Sequence, residues 1–275
     1  MLTTVKTTFE IKSIDLPNGI RLPYVEQGDP AGIPVIFLHG YTDSWHSFEP
    51  VLPHLPESIH AFALTQRGHG EAERPTMGYQ PRDFAADVAA FMDALRLERA
   101  VIAGHSMGST IAQRFGLDYP GRTLGLVLIG SFAGFRDNPG IMEFWNLALS
   151  QLEDPIDFSF AREFQESTLA QPVAPAFFET VVHESLKVPA RVWKAAFQGL
   201  LEGEFPTELG KIKAPTLIFW GDQDVYCPRS DQETLRTAIG GSRLVVYPGV
   251  GHALHWEEPE RFAGDLVAFI ENRVR

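Results

Sequence analysis

The sequence predicts an α/β fold, a mostly parallel twisted sheet flanked by helices. Three observations carry that prediction. Six short apolar runs, "PVIFLHG", "AFALT", "AVIAGHS", "LGLVLIGSF", "PTLIFWGD" and "RLVVYPG", lack polar alternation and end in small or polar residues. Strands read this way when helices cover both faces of a parallel sheet. Segments of helical periodicity fill most of the intervals, and strand–helix alternation implies right-handed crossovers. Finally, 275 residues suffice for a large core, and 44% apolar with 21% charged residues is an ordinary globular composition.

Taken in order, "FEIKSIDL" and "RLPYVEQG" alternate about Pro17-Asn18-Gly19, which predicts an N-terminal β-hairpin. After two buried runs, "PRDFAADVAAFMDALRL" puts Phe84, Val88, Phe91 and Leu95 on one face, with Pro81 near its start, as a helix requires. "AVIAGHS" runs into a second helix, "STIAQRFGLDYP", and "LGLVLIGSF" follows. From about Gly134 to Glu208 the alternation stops. Helix-like segments there are punctuated by Pro139, Pro155, Pro172, Pro175 and Pro189, and aromatics are frequent, Phe144, Trp145, Phe160, Phe164, Trp193 and Phe197 among them. The stretch is too apolar for disorder. It predicts a helical cap insertion after strand 6, residues 134–208, over a core made by 1–133 and 209–275. The aromatics collectively suggest an apolar pocket roof. Strand and helix patterns then resume with "PTLIFWGD", "SDQETLRTAI", "RLVVYPG" and "PERFAGDLVAFIENRV".

A net charge of −12 argues against a nucleic-acid partner held by phosphate neutralisation. The single cysteine, Cys227, excludes an intrachain disulfide and a thiolate metal cluster, and reads as a passive packing residue. "MLTTVKTTFE" lacks a secretory pattern, and no window reaches the roughly 20 apolar residues of a membrane span. A cytoplasmic protein with a small-molecule partner is expected, and the oligomeric state (monomer or homodimer) stays open.

"VIAGHSMGSTIAQ", Val101 to Gln113, sets Ser106 between a buried strand and a helix, with Gly104 and Gly108 at −2 and +2. A serine can project its hydroxyl above a sheet edge only on a sharp, strained strand-to-helix turn. That turn brings the flanking positions against neighbouring backbone, where a Cβ would clash. The following helix, from about Met107, points its positive end at the same spot.

On this G-x-S-x-G motif in its strand–helix context, the chain resembles the α/β-hydrolase family, over nearly its whole length apart from the insertion. The resemblance implies a serine nucleophile, an acid and a histidine in that chain order. His39, His46, His54, His60, His69 and His105 precede Ser106 and drop out. His183 lies in the insertion and reads as an exposed or packing position. Of the two in "YPGVGHALHWEEP", His252 occupies the family's position, while His255 caps or packs the final helix. The loop Gly221-Asp222-Gln223-Asp224 matches the family's acid loop, which implies Asp224, with Asp222 holding backbone N–H groups. In members that place the acid after the preceding strand, the corresponding region is Ser131 and Phe132, with Asp137 the nearest carboxylate. The resemblance further implies oxyanion donors at the backbone N–H of Tyr41 and Met107, with His39-Gly40 shaping the first loop. "TQRGHG" resembles a family loop that commonly begins with aspartate. Thr65 departs from it and bears on how Arg67 is held.

These residues imply acyl transfer by Ser106, with His252 as base and Asp224 steadying the imidazolium. The expected activity is hydrolysis of small to medium carboxylic esters with apolar groups. A lactonase, a carbon–carbon-bond hydrolase acting on diketones, and a perhydrolase or acyltransferase share the chemistry. A small-ligand receptor of the same fold is a further alternative. A serine at position 106 speaks against the dehalogenases and epoxide hydrolases of the fold, which use aspartate there. No metal and no organic cofactor is expected. "HALH" lacks an accompanying carboxylate motif, and no G-x-G-x-x-G fingerprint follows the first strand of a βαβ unit.

Overall fold

The computed structural model describes residues 9–134, 138–203 and 208–274. Eight strands form one sheet: β1 (Ile11–Asp15), β2 (Arg21–Gln27), β3 (Ile33–Leu38), β4 (Ile59–Leu64), β5 (Ala100–His105), β6 (Thr123–Ile129), β7 (Thr216–Gly221) and β8 (Arg243–Tyr247). Their spatial order is β1-β2-β4-β3-β5-β6-β7-β8. The hairpin β1–β2 is antiparallel and β2 pairs antiparallel with β4, whereas every pairing from β4 across to β8 is parallel. The mostly parallel sheet read from the sequence is therefore what the chain forms.

Both faces of the central strands are covered, which explains their unbroken apolar runs. Along β3, Ile36 and Leu38 join one core cluster while Val35 and Phe37 join the other, and Leu126 and Leu128 split from Val127 and Ile129 in the same way on β6. Each fully buried aliphatic or aromatic side chain is worth about 1.5–3 kcal/mol relative to exposure. The first face packs against α1 (Pro81–Ala94) and α2 (Met107–Asp118), through Phe84, Phe91, Ile111 and Phe115. The second face packs against α9 (Pro259–Arg273), through Phe262, Leu266 and Ile270. Helix α7 (Arg229–Ala238) links β7 to β8. α1 starts as its sequence suggests, with Pro81 in its first turn and Asp83 accepting from the Gln80 N–H at 2.9 Å.

One strand departs from the pattern. "RLVVYPG" reads as buried on both faces, yet Arg243 is exposed and Leu244 to Val246 are half-buried. β8 ends the sheet order, so a neighbour pairs with it on one side only.

Between β6 and β7 lie α3 (Pro139–Leu147), α4 (Phe158–Glu166), α5 (Pro175–Lys187) and α6 (Ala190–Glu202). The described residues of this interval contain no strand. Pro139 and Pro175 open their helices and Pro189 precedes α6 directly, positions where a missing N–H costs nothing. Among the described residues, no helix is long and apolar enough to cross a membrane.

Candidate active site

Parallel pairing places the C-terminal ends of β3, β5, β6, β7 and β8 along one edge of the sheet, so the loops that follow them converge there. That edge of an open α/β sheet is where ligands bind. The loop after β5 carries Ser106 with φ 52° and ψ −114°, a left-handed region a non-glycine residue avoids. Such a conformation costs on the order of 1–3 kcal/mol and persists only where the surroundings hold it. Here the Ser106 N–H donates to the Ile129 carbonyl at 2.9 Å, and Ser109 donates to the Ser106 carbonyl from its amide (2.9 Å) and its hydroxyl (2.6 Å). The flanking glycines have the reason inferred for them. A Cβ on Gly104 would lie 2.0 Å from the Gly108 carbonyl oxygen, and one on Gly108 would lie 2.1 Å from the Leu38 carbonyl oxygen.

His252, in the loop after β8, points its Nδ1 at Asp224 Oδ2, 2.8 Å away in the loop after β7. Both side chains are almost wholly withdrawn from solvent. Because the carboxylate only accepts, Nδ1 carries the proton and Nε2 is left as the acceptor. The other carboxylate oxygen, Oδ1, accepts from the Tyr226 N–H (2.8 Å) and the Cys227 N–H (2.9 Å), which fixes the acid independently of the histidine. Asp222, two residues earlier, is exposed and accepts from the Gly249 N–H at 2.7 Å. Its role is a backbone clasp between the two loops, as its position in the turn suggested.

The imidazole of His252 is seated by residues to which the sequence reading gave no such role. A Cβ on Gly130 (φ 51°), just past β6, would lie 2.9 Å from His252 Nδ1, so glycine there makes room for the ring. Tyr226 and Phe132 flank it, with ring centroids 5.2 and 6.2 Å away. Glu257 of α8 (Leu254–Glu257) accepts from the N–H groups of Gly251, Ala170 and Gln171 at 3.0–3.1 Å, tying the histidine loop to the segment after α4. His105 Nε2 donates to the His252 carbonyl at 3.2 Å. "GSF" after β6 and the glutamate of "HWEEP" were the only local hints of these supports.

Tyr41 and Met107 occupy the ends their sequence positions imply, after β3 and at the first residue of α2. Among the described residues, neither backbone N–H donates to a protein acceptor. The Tyr41 side chain does more than expected. It is buried against Phe164, Trp193 and Phe197, and its hydroxyl donates to the Trp193 carbonyl, anchoring the loop beneath α4 and α6. His39 is structural, with Nδ1 donating to the Gly40 carbonyl at 2.8 Å and Nε2 accepting from the Gln66 N–H at 2.9 Å. Burial holds its pKa well below the usual imidazole value, so it stays neutral. Arg67 is clamped by Asp87 of α1 at 2.6 Å through two nitrogens, and Thr65 instead accepts from the Trp45 N–H.

The remaining histidines fall where sequence order left them. His183 is exposed on α5, and His255 is buried in α8, packing on Phe262 of α9. Asp137 lies outside the described residues. The thiol of Cys227 is buried and donates to the Gly130 carbonyl at 3.1 Å, and burial pushes its pKa up, which keeps it protonated. Cys227, Asp224 and His252 offer atoms within 4.8 Å of one another, the nearest approach to a metal-ligand set among the described residues. The hydrogen bonds already described engage all three side chains, so the cluster reads as support for the acid–histidine pair.

A cavity of about 520 Å³, its open mouth included, is lined by Ser106 and His252 together with Tyr41, Phe132, Ile141, Phe144, Phe164, Phe197, Leu200, Tyr226 and Trp256. Phe144, Phe164 and Phe197 thus supply an apolar wall from the interval between β6 and β7. Phe177 and Phe178 instead pack beside Trp256 in a separate small cluster. Three polar side chains the sequence reading passed over, Asp43, Gln165 and Thr168, also line the cavity, the Thr168 hydroxyl spending its hydrogen on the Gln165 carbonyl at 2.7 Å.

Comparison with known proteins agrees with this fold. A family model described as the alpha/beta hydrolase family matches residues 35–266. The AB hydrolase superfamily protein YisY of Bacillus subtilis (strain 168) is 31% identical over 253 residues, covering 88% of this chain and 92% of that one. The 2-hydroxymuconate semialdehyde hydrolase of Pseudomonas sp. (strain CF600) is 30% identical, covering 91% of each. Among solved structures, the esterase EaEST from Exiguobacterium antarcticum superposes with a TM-score of 0.85 at 25% identity, covering 95% of this chain and 99% of that one.

Proposed function

Since the chain belongs to the alpha/beta hydrolase family, we propose that it hydrolyses small to medium carboxylic esters with apolar groups through an acyl-enzyme intermediate. The observation that carries this reading is the 2.8 Å His252–Asp224 hydrogen bond at the wall of an apolar cavity that Ser106 also lines. Ser106 attacks the ester carbonyl while His252 Nε2 takes its proton, and Asp224 holds the imidazolium that forms. The N–H groups of Tyr41 and Met107 receive the oxyanion, each such donor being worth on the order of a hundred- to a thousandfold in rate. The alcohol leaves with the proton from His252, and water activated by the same imidazole releases the acid. Residues 134–208 act as a helical cap on a core built from 1–133 and 209–275, supplying the apolar side chains that exclude water from the acyl group.

The same groups serve a lactone or a carbon–carbon bond flanked by carbonyls. The similarity to a protein named for its action on 2-hydroxymuconate semialdehyde keeps the second of these in view. A screen over p-nitrophenyl acetate and butyrate, simple lactones and ring-cleavage diketones ranks them. Ser106→Ala is expected to lower ester turnover by at least about a thousandfold and to abolish labelling by a fluorophosphonate. Undiminished hydrolysis in that variant overturns the proposal. Single-turnover labelling of the wild-type chain, with no sustained product release, assigns it to ligand reception instead.

A further inference from the structure

Asp43 is a carboxyl group that this catalytic scheme does not use. It follows the oxyanion loop two residues after Tyr41, is 2% exposed, and faces the cavity. Its Oδ1 accepts from Gln165 Nε2 of α4 at 2.9 Å and its Oδ2 from Ser47 Oγ at 3.4 Å. Among the described residues no lysine or arginine pairs with it, and none lines the cavity. Gln165 spends its second amide hydrogen on Ser185 Oγ at 2.8 Å, which leaves Oε1 as its free polar atom. A carboxylate has about four lone-pair sites and Asp43 uses two. This corner therefore presents acceptors alone, in a space whose walls are otherwise largely apolar.

We propose that Asp43 and Gln165 form a charge-discriminating corner of the catalytic cavity, which favours esters bearing a hydroxyl or ammonium donor and rejects esters bearing a carboxylate. The inference deepens, and rests on, the ester-hydrolase reading above. A second negative charge entering the cavity meets Asp43 with little water between them. At an effective dielectric constant of about 20 and a separation of about 6 Å, Coulomb's law gives roughly a hundredfold discrimination. The position also bears on the reacting centre, since a Cβ on Gly40 would lie 3.0 Å from Asp43 Oδ2 and 2.7 Å from His105 Nδ1, the residue before Ser106.

The discrimination depends on pH. Burial pushes the Asp43 carboxyl up to about 7, opposed by the hydrogen bonds from Gln165 and Ser47 and by His252, and reinforced by Glu184 of α5. His105 of β5 and His255 of α8, which adjoin it through Gly40 and Ser47, are held neutral by burial. Asp43 is thus charged above about pH 7 and neutral below it, so rejection of a carboxylate strengthens as pH rises. Any effect of pH on the acyl-transfer chemistry itself acts on every ester alike and cancels in a ratio.

The test compares kcat/KM for ethyl hexanoate, ethyl 6-hydroxyhexanoate, ethyl 6-aminohexanoate and monoethyl adipate at pH 6 and pH 8. Because about a tenth of the Asp43 carboxyls are neutral at pH 8, the wild-type chain is expected to turn over the adipate about tenfold more slowly than the 6-hydroxy ester at pH 8, and at nearly the same rate at pH 6. In Asp43→Asn the ratio should be the same at both pH values, within about twofold. A role confined to holding the loop would slow all four esters by one factor and leave the ratio as it was, which overturns the proposal. So does a wild-type chain that takes the adipate as readily as the 6-hydroxy ester at pH 8. If Asp43→Asn fails to fold, the pH dependence of the wild-type ratio decides. If no ester is turned over, the hydrolase reading fails by itself, and melting shifts with the four compounds at pH 8 decide the corner: adipate monoester stabilising as well as the alcohol refutes it.

Discussion

His255 provides a prediction that can be worked through in numbers. It is fully buried in α8, its Nε2 3.1 Å from Ser47 Oγ and its ring against Phe48 and Phe262. Burial lowers its pKa to about 3, with His252 adding to the effect, so the native chain keeps it neutral far into the acid range. The unfolded chain takes up that proton near pH 6.5. Stability from this group is therefore complete above pH 6.5 and is lost as pH falls. Between pH 7.5 and pH 5 about 1.5 units lie below the unfolded value, which at about 1.4 kcal/mol per unit costs about 2 kcal/mol. His69, held at about 4 by burial, adds about as much in the same direction. Asp43 acts oppositely, because its raised pKa returns about 2–3 kcal/mol as it is protonated over the same interval. Comparing wild type with His255→Gln cancels these other groups, and glutamine retains an amide at the Nε2 position for Ser47. Urea unfolding followed by tryptophan fluorescence at the two pH values should show the wild-type chain losing about 2 kcal/mol more than the variant. Equal losses, within about 0.5 kcal/mol, would refute the burial argument.

Two further outcomes follow from the site's geometry. Asp224→Asn keeps an acceptor for the Tyr226 and Cys227 amides but turns a donor or the wrong tautomer toward His252, so kcat on p-nitrophenyl butyrate should fall by about 10⁴ with KM little changed. Stopped or continuous kinetics showing a loss under tenfold would deny Asp224 its role. Gly104→Ala should cost more than about 3 kcal/mol or prevent folding, since its Cβ would overlap the Gly108 carbonyl, whereas Gly121→Ala, open on all sides, should stay within about 0.5 kcal/mol. Thermal unfolding of the two variants side by side checks the contrast.

Much of this protein is written locally. The strand runs, the amphipathic face of α1 and the turn at Pro17-Asn18-Gly19 are patterns of neighbouring residues, and each forms where its pattern lies. The elbow is legible for the same reason. Gly104, Ser106 and Gly108 answer to one turn, and the clash that demands glycine lies within a few residues or on the adjacent strand. Where resemblance chose among nine histidines, the structure brings His252 to Asp224 across the ends of β7 and β8.

What periodicity does not carry is which distant segments meet. The half-exposure of β8 follows from its place at the edge of the sheet order, and no property of "RLVVYPG" itself announces that place. Gly130 looks like any strand-ending glycine until His252 is seated against it. Asp43 and Gln165 stand 122 residues apart and read separately as loop and helix residues, yet they share a hydrogen bond inside the cavity. Local sequence sets the conformation of each segment through sterics and side-chain pattern. The chemistry of a buried carboxyl depends on desolvation and on its neighbours, and both exist only once the chain has folded.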